Sequence, residues 1–597
     1  TAASRAAISI LHEAGRVTGD GAGRLRPRIE PPLGLVLATA ALTLLILAGE
    51  TVLGAREVGL YIDDYVHVSR FQEWLNEGWY VPSYGPAAPP LGEEPQPGTL
   101  SSPFVYGPAF SALAHLVNVA LGNEAMNEIS TAADAYQVRH LVVALLGLAT
   151  VACAGVAVRV LTRDLLAAIW GAAALLAIPV WAGQSMFNIK DIPVASGFTF
   201  VTVGLVLGLA SARRDSWPSP GRLLAVSALV GFGVMIGVGT RSAMWVPFAC
   251  SLSAFAALSW LVLRSRADVL RSLAAPGVGF VVGLVVVTAL HPYPPASPIE
   301  WMIESVSESS GYDPPSPPTL TVGRLLSPTD PPVWYLPAWL FAGVPVIIFG
   351  LAGVGTALVI RSAARWRRSE TGAEAPSRLQ IGGMLLVTLQ LALLPAASIV
   401  AGSTMYSGLR LHLYVLPAVA ILAGIGAAKL IRATGGKRSS PRLRWAAALV
   451  LAVALAVPTV EQTRLYPYNY IYVNPLAGLG GVEGRWETDQ LYVGSREAFR
   501  RVPPSVTPLC SYGLIIPSSP SSTIIHTCGL NHALVEPFRD ELGEDATATP
   551  IAGEVWIVGR PRAGNHPPHY CREDDNVTRP LRTEEIVVAH VLRCVPP

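Results

Sequence analysis

The sequence predicts a polytopic α-helical membrane protein, and three observations lead to this fold class. Of the 597 residues, 51% are hydrophobic and only 14% are charged, whereas a soluble domain carries roughly a quarter charged residues. The mean hydropathy is +0.44, and apolar stretches of about 20 residues, the length that crosses a bilayer, recur along the chain. The 43 basic and 41 acidic residues nearly cancel, which leaves no global basic surface for nucleic acid.

Eleven stretches are apolar and long enough to be predicted as membrane spans. They cover residues 33–53, 138–160, 165–185, 193–211, 223–239, 243–263, 273–290, 336–360, 382–401, 411–430 and 445–460. The apolar stretch from Pro108 to Gly122 is too short to cross the membrane. We expect it to lie in the interface or inside the helix bundle.

Basic residues indicate the orientation of these spans. They cluster before the first span and in alternate loops, as at Arg26, Arg213, Arg266 and Arg365, whereas the first opposite loop is acidic. Since cytoplasmic loops accumulate Lys and Arg, the N-terminus is predicted to be cytoplasmic, with the first span retained as a signal anchor in the plasma membrane. The predicted parts are a basic tail (1–30), a transmembrane domain (31–460) with outer loops 56–137 and 291–335, and an extracytoplasmic domain (461–597).

The C-terminal region contains short strand-like runs, EVWIVG and EEIVVAHVL, separated by turn-rich segments. This pattern predicts a small α/β or mostly β domain. It also holds four cysteines, Cys510, Cys528, Cys571 and Cys594. An even set in an oxidising compartment predicts two disulfides with three alternative pairings, and the absence of a CxxC pair makes a zinc site the weaker interpretation.

Ionisable residues gather at the outer ends of the predicted spans, first in YIDDYVHVSRFQEW after span one. Asp63, Asp64, His67 and Arg70 have helical spacing there, on one short amphipathic helix. One interpretation is a solvated interfacial helix with charge pairs between successive turns. The alternative is catalytic, because one of two adjacent carboxylates can act as a general base while the other shapes its pKa or holds a cation.

Three further motifs add cations on the same side. FNIKDIPVASG contains Lys190 and Asp191, GTRSAMW contains Arg241, and MYSGLRLHLYVLP contains Arg410 and His412. Helix capping and snorkelling are the structural alternatives. Cations beside apolar walls suit a lipid-linked phosphate, and a carboxylate suits an attacking hydroxyl.

Because these motifs follow one another in this order along the chain, the chain resembles membrane glycosyltransferases of the GT-C fold. It is most similar to bacterial relatives of protein O-mannosyltransferases and of lipid A aminoarabinose transferases. The Asp63–Asp64 pair is similar to the acidic pair of that family, and NIKDIPVA to its KDxP motif. MYSGLRLHLYVLP resembles YxGxRHxxFxxP, although Leu411 separates the arginine from the histidine here. The segment from YPYNYIYVNPLAGLGG to SREA resembles a signature of bacterial members, with DQLY from Asp489 where the pattern reads DYWG.

The resemblance implies transfer of a sugar from a polyprenyl-phosphate donor to a hydroxyl on the extracytoplasmic face, with inversion at the anomeric carbon. It implies Asp63 as the general base, with Asp64 or Asp191 orienting the acceptor. In some relatives such an acid helps to hold a divalent cation, so Asp64 and Asp191 are the metal candidates, and no other cofactor is implied. The expected phosphate ligands are Lys190, Arg241, Arg410 and His412, and the expected acceptor or substrate contacts are His67, Arg70, Tyr106 and Tyr406.

The partners expected on this interpretation are the lipid-linked donor, membrane lipids, and a glycan, lipid or protein acceptor of the cell envelope. Two other functions stay open. A flippase or transporter predicts charges buried in mid-span and paired discontinuous helices, whereas the charges here gather at outer helix ends. A catalytically silent protein that binds lipid-linked sugars is the second alternative; the intact acidic pair and KDIP motif argue against it, and the DQLY departure keeps it open.

Overall fold

The structure is a computed structural model. It describes residues 30–81, 102–123, 133–211, 219–263, 265–291, 297–310, 318–367, 376–435, 440–488, 493–503, 509–511, 536–541, 543–547, 555–559 and 571–594. Within these ranges the protein is mostly helical, and ten helices are long and apolar enough to cross a membrane. The predicted fold class, a polytopic α-helical membrane protein with a C-terminal β-containing region, is confirmed.

The described residues form seventeen α-helices. They are α1 Pro31–Glu57, α2 Ile62–Glu77, α3 Ala109–Ala120, α4 Ala133–Thr162, α5 Leu165–Leu176, α6 Pro179–Gln184, α7 Asp191–Ser211, α8 Pro220–Val238, α9 Trp245–Val262, α10 Arg266–Leu290, α11 Pro298–Ser310, α12 Tyr335–Gly343, α13 Val346–Arg367, α14 Arg378–Val400, α15 Val415–Gly435, α16 Pro441–Leu465 and α17 Ser495–Arg500. The amphipathic helix expected after span one is α2, and the short apolar helix expected near Pro108 is α3.

Two predicted spans are interrupted by proline. The stretch 165–185 forms α5 and α6, which break at Ala177 and Ile178 before Pro179. The stretch 336–360 is divided in the same way before Pro345, so that only α13 has the length of a span. A proline lacks the N–H that the helix needs, and it disfavours helical geometry in the residue before it. This explains why the described residues contain ten long apolar helices and not the eleven predicted.

Helix α7 lies at the centre of the bundle. In the most apolar 18-residue stretch of α7, 94% of the residues are buried. The helix packs against α4, α8, α10 and α14. Its contact with α8 is close, because a Cβ at Gly197 would lie 2.6 Å from the carbonyl oxygen of Gly233. Small residues permit such approach between apolar helices. The N-terminus of α7 therefore has a fixed position, and it is this end that carries Asp191.

The C-terminal region contains a four-stranded sheet of β3 Leu509–Ser511, β4 Val555–Gly559, β5 Cys571–Leu581 and β6 Glu584–Cys594, in the order β3-β4-β6-β5. The predicted strand runs form β4 and β6. Cys571 and Cys594 are bonded across the β5–β6 hairpin, which confirms that the region carries a disulfide. The side chain of Cys510 and the whole of Cys528 lie outside the described residues, so their pairing stays a prediction.

Ion pairs hold this sheet against the last helix of the bundle. Arg582 Nε lies 3.1 Å from Glu461 Oε1 on α16, and Arg579 Nη2 lies 2.5 Å from Glu497 Oε2 on α17. Arg579 also donates to the carbonyl of Tyr466, just after α16. A second, two-stranded sheet, β1 Thr319–Thr321 and β2 Arg324–Leu326, contacts the same side through an isolated bridge from Thr321 to Trp486.

Candidate active site

Asp63 stands at the first turn of α2, and the local sequence sets its direction. The backbone N–H of Tyr61, before the helix, donates to Asp64 Oδ2 over 3.0 Å. This contact satisfies a donor that the start of a helix would otherwise leave free. The second acid of the pair thereby closes the helix start, and the first acid, Asp63, faces the cations of the neighbouring motifs.

Five charged side chains form a row in which the signs alternate. Asp63 Oδ2 lies 2.5 Å from Lys190 Nζ and 3.3 Å from Arg410 Nη2. Asp191 lies 3.2 Å from Arg410 Nε and 3.5 Å from Arg241 Nη2. Lys190, Asp63, Arg410, Asp191 and Arg241 are thus joined by four ion pairs, and we call these five residues the charge row. The predicted motifs that contribute them come together as one cluster.

Lys190 and Asp191 are held by a residue that the sequence analysis did not single out. The side-chain oxygen of Asn188 accepts from the backbone N–H of Asp191 over 2.8 Å, and its amide donates to Asp191 Oδ2 over 3.2 Å. The same amide donates to Gln184 at 2.7 Å. Asn three residues before an acid at a helix start is a capping pattern, and this signal was available in NIKD.

Arg410 follows a tight turn in the MYSGLR motif. Ser407 and Gly408 both have positive φ, 58° and 65°, and a Cβ at Gly408 would lie 3.1 Å from the Trp339 ring. Glycine therefore allows both the turn and the close contact. Arg410 lies over the rings of Tyr61 and Tyr406, 5.3 Å from each centroid.

His412 does not join the charge row. Leu411 separates it from Arg410 within a short 3-10 turn, so the two side chains diverge, and His412 Nε2 lies 3.2 Å from Ser398 Oγ. Burial, followed by the charge of Arg241, lowers the pKa of His412 to about 4. Near neutral pH His412 therefore offers a neutral imidazole, and its contact with the donor phosphate stays a prediction.

Tyr106 and Arg241 are brought together by backbone pairing. The two residues form an isolated antiparallel bridge, and the N–H of Ser242 donates to the carbonyl of Val105 over 3.1 Å. The ring of Tyr106 then lies 5.3 Å from Lys190 Nζ and 5.7 Å from the Arg241 guanidinium carbon. Tyr106 and Tyr406 were predicted as substrate contacts, and both border the charge row.

The cations dominate the electrostatics of the charge row. Burial opposes ionisation of Asp63, but Lys190 and Arg410 outweigh it and hold the pKa of this carboxyl well below its usual range. Three cations face two carboxylates among the described residues of the row, which leaves one net positive charge. Such a site suits an anion whose charge grows during a reaction.

A cavity of about 330 Å³ opens beside the charge row. Its lining includes Arg241 of the charge row, the rings of Tyr106 and Tyr406, and the apolar side chains of Val246, Pro247 and Leu394. A groove with apolar walls and a cationic end can hold a molecule that joins a lipid to an anionic group.

His67 and Arg70, predicted to contact the acceptor, lie further along α2 in a different group. His67 Nδ1 is 2.9 Å from Tyr80 Oη, and Tyr80 Oη is 2.9 Å from Ser111 Oγ. Arg70 donates to the carbonyl of Tyr80 over 2.9 Å. Arg139, on α4, lies 3.5 Å from Ser111 Oγ. The sequence analysis missed Tyr80, Ser111 and Arg139, although the Arg-His pair at the start of an apolar span was a visible signal for the last of these.

Asp64 is fully buried, and its Oδ2 lies 2.9 Å from His140 Nε2. It therefore faces away from Asp191, whose oxygens pair with Arg241 and Arg410. The ranges that the structure describes contain no group of three or more His, Cys, Asp or Glu side chains that could hold a metal ion. The two acids named as metal candidates do not share a site, and dependence on a divalent cation stays a prediction.

Comparison with solved structures gives distant similarities. The chain is 14% identical to the apo oligosaccharyltransferase of Archaeoglobus fulgidus, with 73% of this chain and 56% of that chain covered and a TM-score of 0.46. It is 14% identical to ArnT of Cupriavidus metallidurans bound to undecaprenyl phosphate, with 88% and 93% covered and a TM-score of 0.41. For the apo state of that ArnT the identity is 13%, the coverage 94% and 98%, and the TM-score 0.42.

No protein-family model matches the chain, and no curated protein matches its sequence. The chain spans little more than half the length of the archaeal oligosaccharyltransferase. The predicted resemblance is confirmed at the level of similarity: an oligosaccharyltransferase and ArnT are among the solved structures to which the chain is similar. At these identities the matches assign no activity, and the functional argument rests on the site.

The fold and the site define a multi-pass membrane protein with a buried row of charges beside an apolar groove. The ten apolar helices establish the membrane class, and the row combines cations that can bind an anion with carboxylates that can accept a proton.

Proposed function

We propose that the protein is a glycosyltransferase that moves a sugar from a polyprenyl-phosphate donor to a hydroxyl of a cell-envelope acceptor. The observation that carries the proposal is the charge row, one member of which, Arg241, lines a largely apolar groove. The groove suits the polyprenyl chain, and the excess positive charge suits the donor phosphodiester. The outer location of the row follows from the distribution of basic loops, which places the reaction on the extracytoplasmic face.

The reaction is a single displacement at the anomeric carbon. The acceptor O–H gives its proton to a carboxylate, a bond forms between that oxygen and the anomeric carbon, and the bond from this carbon to the phosphate oxygen breaks. The leaving phosphate gains one negative charge, so Lys190, Arg410 and Arg241 stabilise the departing group more than the bound donor. Attack from the face opposite the phosphate inverts the configuration.

Asp63 is the proposed general base. Its oxygen is engaged by Lys190, Arg410 and the hydroxyl of Tyr61, which keeps it ionised but makes it a weak base. A donor phosphate competes for the same two cations. Donor binding therefore frees an oxygen of Asp63 and raises the pKa of its carboxyl toward the range in which it accepts a proton. This order of events makes the base available only when the leaving group is in place.

The test uses the full-length protein in nanodiscs, with radiolabelled polyprenyl-phosphate sugars and an envelope extract as acceptor. Asp63→Asn should lower transfer about a hundred- to ten-thousand-fold, the usual contribution of a general base. Asp330→Asn is the matched control, because Asp330 is an exposed acid in an outer segment. Full activity of Asp63→Asn would contradict the assignment of the base. No transfer from any donor, with lipid binding retained, would favour a flippase or a silent binder.

A further inference from the structure

Arg139 is a buried cation without a carboxylate partner among the described residues. Its side chain is 1% exposed, and it lies in the second turn of α4, one of the ten apolar helices. Its Nε and Nη1 have no hydrogen-bond partner there, while Nη2 reaches Ser111 Oγ only at 3.5 Å. An ionisable side chain inside a membrane segment is expensive, and an unpaired one indicates a ligand site.

The described residues that contact Arg139 or its neighbours supply further hydrogen-bond donors. Arg70 is also 1% exposed and donates to the carbonyls of Tyr80 and Ser102. The hydroxyl of Tyr80 connects His67 to Ser111, which approaches Arg139. We call Arg139, Arg70, His67, Tyr80 and Ser111 the Arg139 cluster.

His115 is a further titratable group near Arg139. Burial and then the charge of Arg139 lower the pKa of His115. Asp64, three residues before His67 on α2, is engaged by His140 over 2.9 Å. Among the described residues no carboxylate pairs with Arg139, and the Arg139 cluster contains a second guanidinium group, that of Arg70.

The geometry of α2 relates this cluster to the charge row. Asp63, His67 and Arg70 are at positions i, i+4 and i+7, so they lie on one face of the helix. Seven residues at 1.5 Å per residue place Arg70 about 10 Å along the helix axis from Asp63. The ring of Tyr106 lies between the two groups, 5.2 Å from the Arg70 guanidinium carbon and 5.3 Å from Lys190 Nζ.

We propose that the Arg139 cluster binds an anionic group, a phosphate or a carboxylate, on the acceptor, about 10 Å along α2 from the hydroxyl that Asp63 activates. The assignment to the acceptor rests on the proposed function, because the charge row is already taken by the donor phosphate. Guanidinium groups match both anions through paired hydrogen bonds. The acceptor class is therefore an acidic glycan, lipid or peptide, and neutral acceptors are excluded.

The first experiment measures binding and needs no activity. Full-length protein in phosphatidylcholine nanodiscs, with saturating polyprenyl phosphate to fill the charge row, is titrated with n-octyl phosphate and with n-octyl glucoside. Arg139→Gln should weaken binding of octyl phosphate about ten-fold or more, the effect of losing a hydrogen bond to a charged group. The matched control is Arg159→Gln, an exposed arginine near the other end of the same helix. Equal binding by both variants would overturn the proposal.

Stability distinguishes a ligand site from a structural contact. Because Arg139 has no carboxylate partner among the described residues, Arg139→Gln should unfold at the same temperature as the wild type or higher. A clear decrease in the unfolding temperature would show that Arg139 has a structural partner, and the proposal would fall. Loss of octyl phosphate binding in phosphatidylglycerol nanodiscs would assign the cluster to a lipid headgroup and would also overturn it.

The second experiment tests the acceptor directly. The envelope extract is divided by anion exchange into acidic and neutral pools, and transfer to each pool is measured. We expect transfer to the acidic pool, with its KM raised ten-fold or more in Arg139→Gln and the donor KM unchanged. Transfer to the neutral pool alone would overturn this inference and leave the proposed function intact. No transfer from any donor would contradict both the proposed function and this inference, since the anion could then not be assigned to an acceptor.

Discussion

Two groups of buried charges lie along one face of α2, and they differ in how the charges are compensated. In the charge row each carboxylate contacts two cations, with distances from 2.5 to 3.5 Å. In the Arg139 cluster Arg70 donates to backbone carbonyls and Arg139 approaches one hydroxyl, and Arg139 has no carboxylate partner within the described part of the chain.

This difference determines what ligand binding changes in each group. A cation that is already paired exchanges one anion for another, so a donor phosphate must displace Asp63 or Asp191. A buried cation without a carboxylate partner gains an anionic partner when the ligand binds. The free energy of that contact is not reduced by the loss of an existing ion pair. The charge row can therefore couple donor binding to release of the base, whereas the cluster is suited to selecting an anionic substrate.

The comparison is tested most strongly by Arg410→Gln. This change leaves Asp63 and Asp191 with one cation each, and removal of one member of a buried pair typically costs about 3 to 5 kcal/mol. We expect a clearly lower unfolding temperature in nanodiscs, together with weaker binding of polyprenyl phosphate. Arg361→Gln, an exposed arginine on α13, is the control. If Arg410→Gln and Arg139→Gln had equal stability, the distinction between paired and unpaired cations would be wrong.

A smaller effect is expected for Asp64→Asn, a change that tests the second acid of the Asp63–Asp64 pair independently of the first. Asparagine keeps the shape and can still accept the N–H of Tyr61, but it loses the charge that faces His140. A hydrogen bond to a charged group contributes roughly 1.5 to 3 kcal/mol, so the free energy of unfolding should fall by about 2 kcal/mol.

Transfer should persist in Asp64→Asn, with KM for both substrates near that of the wild type. His140→Gln should give a similar loss, and the double variant should lose less than the sum of the two single losses, because the residues contact each other. Loss of transfer as large as that in Asp63→Asn would show that Asp64 takes part in the chemistry.

The sequence was sufficient for the spans and for the motifs that form the charge row, because both depend on local patterns. Hydropathy located the spans, and alternate basic loops predicted that Asp63, Lys190 and Arg410 share one side of the membrane. The same pattern could not show that Asp64 turns toward His140, since the direction of a side chain depends on the first turn of α2 and on a helix 76 positions away.

Other parts of the site depend on contacts between distant segments. The inserted Leu411 was visible as a departure from the motif, but only the 3-10 turn shows that it sends His412 to Ser398. Arg139 belongs to a span, where hydropathy identifies a helix and gives no information about the partners of one buried cation. Proline explains why eleven spans were predicted and the described residues contain ten long apolar helices. An average of hydropathy over a stretch of residues does not detect the break before Pro179.

The smallest expected effect is a difference in how the charged groups respond to acid. The pKa of Asp63 is held below its usual value, so the stability that it contributes is complete above its unfolded pKa of about 3.9. That contribution is lost only as the pH falls through the still lower folded pKa. It should therefore be constant between pH 7.5 and 6.0.

His412, unlike Asp63, should respond to acid within this interval. Its folded pKa of about 4 lies below the unfolded value of about 6.5, so between these values the unfolded chain binds a proton that the native protein does not. Stability then falls as the pH falls, by about 0.8 kcal/mol from pH 7.5 to 6.0 for one such histidine.

His412→Gln should lose less stability on acidification than the wild type, and Asp63→Asn should lose as much as the wild type. Unfolding temperatures at the two pH values measure both differences. An Asp63→Asn variant with a flatter pH response than the wild type would mean that Asp63 titrates near neutral pH, which the cations of the charge row should prevent.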